Sequence, residues 1–76
     1  VCREHIIMKV GNGPASRQPV IEIANLFRAK VVNVAESRLM LELTGEPEKI
    51  DSFIGLLQPY GVKEIVRTGI SALERD

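Results

Sequence analysis

The sequence predicts an α+β sandwich with elements in the order β-α-β-β-α-β, and three observations carry that expectation. Two stretches repeat apolar residues at i, i+3, i+4 and i+7, the mark of a helix with one buried stripe. Four others alternate apolar and polar residues or run β-branched, as strands do. Turn-forming glycines, prolines and polar residues separate them.

The first strand is Arg3 to Val10, R-E-H-I-I-M-K-V, with Ile6, Met8 and Val10 on one face. Gly11-Asn12-Gly13-Pro14 breaks it. Val20, Ile23, Ala24 and Phe27 then form the first helical stripe. Ser16 is a candidate cap, with Pro19 in the first turn, or Pro19 itself opens the helix. Arg28 and Lys30 follow near its negative end.

Lys30 to Ala35, K-V-V-N-V-A, is a short β-branched second strand, and Glu36-Ser37 reverses the chain. Arg38 to Thr44 is the third strand, with Leu39, Leu41 and Leu43 on one face. Strands two and three are close enough in sequence for a hairpin. Gly45 ends the third strand. Glu46-Pro47-Glu48 opens a second helix, where Pro suits the first position and acids suit the positive end. Ile50, Phe53, Ile54 and Leu57 carry its stripe, and Pro59 and Gly61 close it. Val62 to Thr68 is the fourth strand; Ile65 and Val66 are adjacent and face opposite ways, so its register stays open. Ile70 to Asp76 is a short mixed tail. Two right-handed strand–helix–strand units put both helices on one face of a four-stranded antiparallel sheet, which is the ferredoxin-like arrangement.

Composition bounds the function. A chain of 76 residues is one domain. At that size it buries only about 60–65% of its unfolded surface, so its core is thin and it gains from a partner. Aromatics make up 4%, so the core is aliphatic. Ten basic residues balance ten acidic ones, which speaks against nucleic acid, since neutralised phosphates supply much of that affinity. The first and third strands also lack the aromatics on which RNA-recognition modules stack bases. The single cysteine, Cys2, excludes an internal disulfide. No apolar run approaches the ~20 residues of a membrane span, and no signal peptide is visible. The chain opens inside a strand without Met, so a piece of a longer protein is expected.

Chemistry is sparsely signalled. Cys2 and His5 have a C-x2-H spacing, but a closed zinc site needs four ligands, and positions three apart on a strand face opposite ways; a site shared between subunits is the remaining metal reading. Gly11, Asn12 and Gly13, with Ser16 and Arg17 at a helix start, form a candidate anion or small-ligand loop. Small phosphatases of this strand order use a loop and an Arg in about this place, but only Asn33 offers to position a water here. Glu46, Glu48 and Asp51 read as solvated acids of a helix start. With one His, no Ser/His/acid trio is spaced convincingly. No catalytic residue, metal site or cofactor site is therefore assigned. The open sheet face is the candidate interface: Ile7, Val31 and Met40 are apolar and predicted to lie on it, with Arg67 and Thr68 of the last strand beside them.

Four stretches taken in order resemble a known family. They are R-E-H-I-I-M-K-V (Arg3 to Val10), I-A-N-L-F-R-A-K-V-V-N-V (Ile23 to Val34), L-E-L-T-G-E-P-E-K-I-D-S-F-I-G-L-L (Leu41 to Leu57) and V-K-E-I-V-R-T-G (Val62 to Gly69). Their F-R-x-K-V-V, T-G-x-x-x-K-I and R-T-G clusters together resemble the C-terminal domain of the regulatory, small subunit of acetolactate synthase, also called acetohydroxyacid synthase. The resemblance implies an ACT-like, non-catalytic domain that follows an amino-acid-sensing ACT domain. It implies binding to the thiamine-diphosphate-dependent catalytic subunit, activation of that subunit and feedback control by valine or a related branched-chain amino acid. The apolar open face adds the expectation of a homo-oligomer, and the residues that of no cofactor, nucleic acid or membrane partner; the location expected is the cytoplasm or, in a plant, the plastid stroma. The alternative is a small-ligand or metal-binding sensor module using Gly11 to Arg17 or a shared Cys2–His5 site. A small acyl-phosphatase is the third reading.

Overall fold

Alternation decides which face of each strand is buried, and the computed structural model shows the outcome over residues 2–11, 13, 15–34 and 38–71. The elements are β1 (Cys2–Gly11), α1 (Arg17–Phe27), β2 (Lys30–Val34), β3 (Arg38–Gly45), α2 (Pro47–Leu57), a 3-10 turn (Gln58–Tyr60) and β4 (Val62–Ser71). The sheet order is β2-β3-β1-β4, every neighbouring pair antiparallel. The ferredoxin-like expectation is met.

On β1 the even positions Ile6, Met8 and Val10 are fully buried; on β3 the odd positions Leu39, Leu41 and Leu43 oppose them. Both helices close over that face with Val20 and Ala24 of α1 and Ile50, Phe53 and Leu57 of α2. The Phe27 and Phe53 rings meet at 5.2 Å and a 57° tilt, an edge-inclined contact worth about 0.5–1.5 kcal/mol beyond area burial.

Local signals act largely as read. Pro47 opens α2, where its missing N–H costs no helical bond. Ser16 precedes α1, but its hydroxyl makes no capping bond. Arg28 does not sit in the last turn of α1; it terminates the helix in the left-handed conformation, φ 61°. Its N–H bonds Asn25 O at 3.1 Å and the Ala29 N–H bonds Ala24 O at 2.8 Å, a Schellman closure that most helices build on glycine. β4 runs on through Ser71, so Ile70 belongs to the strand rather than the tail. The Glu36-Ser37 reversal lies outside the described residues.

Two bulges reset the alternation. One, between Lys9 and Val10 of β1, shifts the pairing with β4. The other, between Val31 and Asn33, shifts β2 against β3. An inserted residue flips every side chain beyond it to the other face.

Candidate functional site

The face of the sheet away from the helices is assembled by β1, whose odd positions stand between β3 and β4. His5 lies between Thr44 and Thr68, Ile7 between Glu42 and Val66, and Lys9 between Met40 and Glu64. Polar pairs bracket the apolar members. The His5 ring nitrogen Nε2 and Glu42 Oε2 are 2.6 Å apart. Lys9 Nζ lies 3.2 Å from Glu64 Oε1. The Thr68 hydroxyl donates to His5 O at 3.4 Å. Between these pairs Ile7 and Met40 are half-buried, and Val66 leaves 50% of its surface exposed.

Of the predicted interface residues, the structure brings Ile7, Met40 and Thr68 onto this face and moves Val31 and Arg67 off it. Val31 pairs with the core residue Leu41, so it points to the helix side of the edge strand, 41% exposed. Arg67 pairs with the core residue Ile6 and also points to the helix side. There its Nε bonds Glu4 Oε1 at 2.6 Å and its Nη2 lies 2.8 Å from Asp51 Oδ1. The bond to Glu4 first, and that to Asp51 second, hold the guanidinium above its ordinary pKa. Arg67 therefore clips α2 to β1 rather than facing a partner. Val66 takes the place expected of Arg67, and sequence alternation missed it because a bulge intervenes.

The Gly11–Arg17 loop sits at the far end of the domain from the start of α2. Three of its described backbone donors are spent on the protein itself. Gly11 N–H bonds Gly61 O at 2.9 Å, and the N–H groups of Ser16 and Arg17 both bond Gly13 O, at 3.1 and 3.0 Å. A Cβ on Gly11 would stand 3.1 Å from Tyr60 O, so the glycine permits this close approach of β1 to the turn before β4. Asn12 lies outside the described residues. Among the described residues no three His, Cys, Asp or Glu side chains gather as a metal site, and the Cys2 side chain is outside that set. None of their helices is long and apolar enough to cross a membrane.

A two-layer ferredoxin-like sandwich with polar pairs and a partly apolar open sheet face defines a small α+β domain. The family described as the small subunit of acetolactate synthase matches residues 3–76, and the chain belongs to it. The small subunit of Mycolicibacterium smegmatis is 43% identical over 75 residues, covering 99% of this chain and 44% of that protein. The small subunit of Bacillus subtilis is 44% identical over 75 residues, with the same coverages of 99% and 44%. The crystal structure of the small subunit from Thermotoga maritima superposes with a TM-score of 0.83 at 35% identity, covering 91% of this chain and 42% of that one. The chain thus spans less than half the length of the relatives it matches.

Proposed function

We propose that this chain is one regulatory, non-catalytic domain of an acetolactate synthase small subunit, occupying residues 1–76, and that its open sheet face meets the catalytic subunit. Family membership supports the regulatory role. The single observation behind the choice of surface is the row Ile7–Val66 with neighbouring Met40, apolar side chains left on the outer face of a small sheet whose other face carries both helices. The two acids flanking the row, Glu42 and Glu64, already have partners in His5 and Lys9, so covering the row leaves neither carboxylate alone. In the whole subunit this domain supports activation and feedback control by a branched-chain amino acid, in the cytoplasm or plastid stroma, and a homo-oligomer forms through the same subunit.

The test is light scattering after size exclusion of this chain, alone and mixed with an acetolactate synthase catalytic subunit. Co-elution that is lost in Val66→Lys supports the reading. A wild-type monomer that ignores the catalytic subunit sinks it. The sensor alternative at Gly11–Arg17 draws less support, because the N–H groups of Gly11, Ser16 and Arg17 bond the protein's own carbonyls.

A further inference from the structure

The chain balances ten cations against ten acids, yet at one place it gathers cations without partners. Arg28 at the end of α1, Lys30 at the start of β2 and Lys49 in the first turn of α2 line a single open cleft of about 330 Å³. Glu42, Leu43 and Thr44 of β3 form its remaining wall. Among the described residues none of the three cations enters an ion pair. The one lining carboxylate, Glu42, has its Oε2 bound to His5 at 2.6 Å. Glu46 and Glu48 of the neighbouring helix start are exposed and do not line the cleft.

Four further features aim this cluster. β2 begins at Lys30 opposite Glu42, so Leu43 and Thr44 of β3 have no strand on that side, and the sheet edge is notched there. The α2 N-terminus at the cleft carries no side-chain cap, so the first-turn N–H groups are left to solvent or a ligand and the positive end of the helix dipole faces outward. Arg28 holds φ 61° where glycine is the usual residue. The Schellman bonds hold it there, which fixes the direction in which the Arg28 side chain leaves the helix end. The stem of Lys49 has its own seat: a Cβ at the buried Gly45 would lie 2.9 Å from Lys49 Cδ.

We propose that this cleft binds a small, multiply charged phosphate-type oxyanion of pyrophosphate size. A group with two or more charges and oxygens on several sides engages cations arriving from three elements together with a helix end. A volume of 330 Å³ leaves room for more than one phosphoryl group. The cleft touches the rim of the docking face through Glu42 and Thr44, but its cations lie outside the Ile7–Val66 row, so it stands or falls separately from the regulatory reading.

Calorimetric titration of the chain with sodium pyrophosphate, at ionic strength held constant with sodium chloride, tests it. One-to-one saturable binding is expected, weakened about tenfold or more in Lys49→Gln and in Lys30→Gln. Arg28→Gly separates ligand from fold. It relieves the left-handed strain, so its melting temperature rises by a few degrees while pyrophosphate binding weakens. Absence of binding by the wild type overturns the proposal, as does binding that is unchanged in all three variants. Citrate run in parallel decides the ligand class: a response equal to that of pyrophosphate overturns the assignment to a phosphate-type anion.

Discussion

The two faces of the sheet use the same strands for different ends. Toward the helices, β1 and β3 present Ile6, Met8, Val10, Leu39, Leu41 and Leu43, all buried. Away from them, the same strands present His5, Ile7, Lys9, Met40, Glu42 and Thr44, where ion pairs alternate with half-buried aliphatics. The first face is sealed by Phe53 and its neighbours; no helix among the described residues covers the second. Period two assigns each residue to one purpose, so a substitution on β1 or β3 touches stability or recognition according to parity.

Phe53→Ala attacks the sealed face, and the largest effect is expected there. It costs about 3–5 kcal/mol, most of the ~5 kcal/mol that a small domain holds in reserve, and chemical denaturation is expected to lose its cooperative transition. Val66→Lys makes the opposite cut. On the open face the same denaturation curve should shift by no more than about 0.5 kcal/mol, while light scattering shows association with the catalytic subunit gone. A V66K protein that associates normally moves the docking surface elsewhere.

Arg67 sits between these extremes, a charged residue on the sealed side. Arg67→Met frees α2 from β1 and lowers the melting temperature modestly, more at low salt than at high, which thermal scans at two ionic strengths will read. Because its pKa is raised in the folded chain, Arg67 contributes its stability below the unfolded arginine value and loses it only as pH climbs past the folded one. The stability difference between R67M and wild type should therefore show no arginine titration across the neutral range. Gly45→Ala is expected to be the mildest. The added methyl meets the flexible stem of Lys49 rather than backbone, so folding is barely affected and the displaced ammonium weakens pyrophosphate binding a few-fold in the same calorimetric titration.

Much of this division was legible before any coordinates. Leu39, Leu41 and Leu43 alternate without interruption, and β3 keeps them all on one side. Ile50, Phe53 and Leu57 keep helical spacing, and all are buried. Alternation failed where a strand gains a residue. Val62 packs beside Val10 on the helix side, and simple parity from there would bury Glu64 and Val66. The bulge at Lys9/Val10 turns both outward and brings Ile65 and Arg67 inward. The bulge after Val31 does the same on β2 and explains why Val31 left the predicted face. Bulges come from the mismatch between two strands distant in sequence, and no local pattern on either strand announces them. The cation cleft was invisible for a related reason: Arg28, Lys30 and Lys49 belong to three elements, and only the fold brings them to one place.

The pairing of β1 with β4 sets the order in which the fold is finished. Cys2 registers with Ser71 and Ile7 with Val66, so β1 waits for β4 across most of the domain. During synthesis β3 is available to one edge of β1 well before β4 reaches the other. Closing that final ladder spans nearly the whole chain, the kind of non-local contact that slows folding. Until it forms, the second edge of β1 is an unpaired template open to other chains. A ribosome stalled before Val62 would display such an edge, making β4 the element on which the solubility of the nascent protein depends.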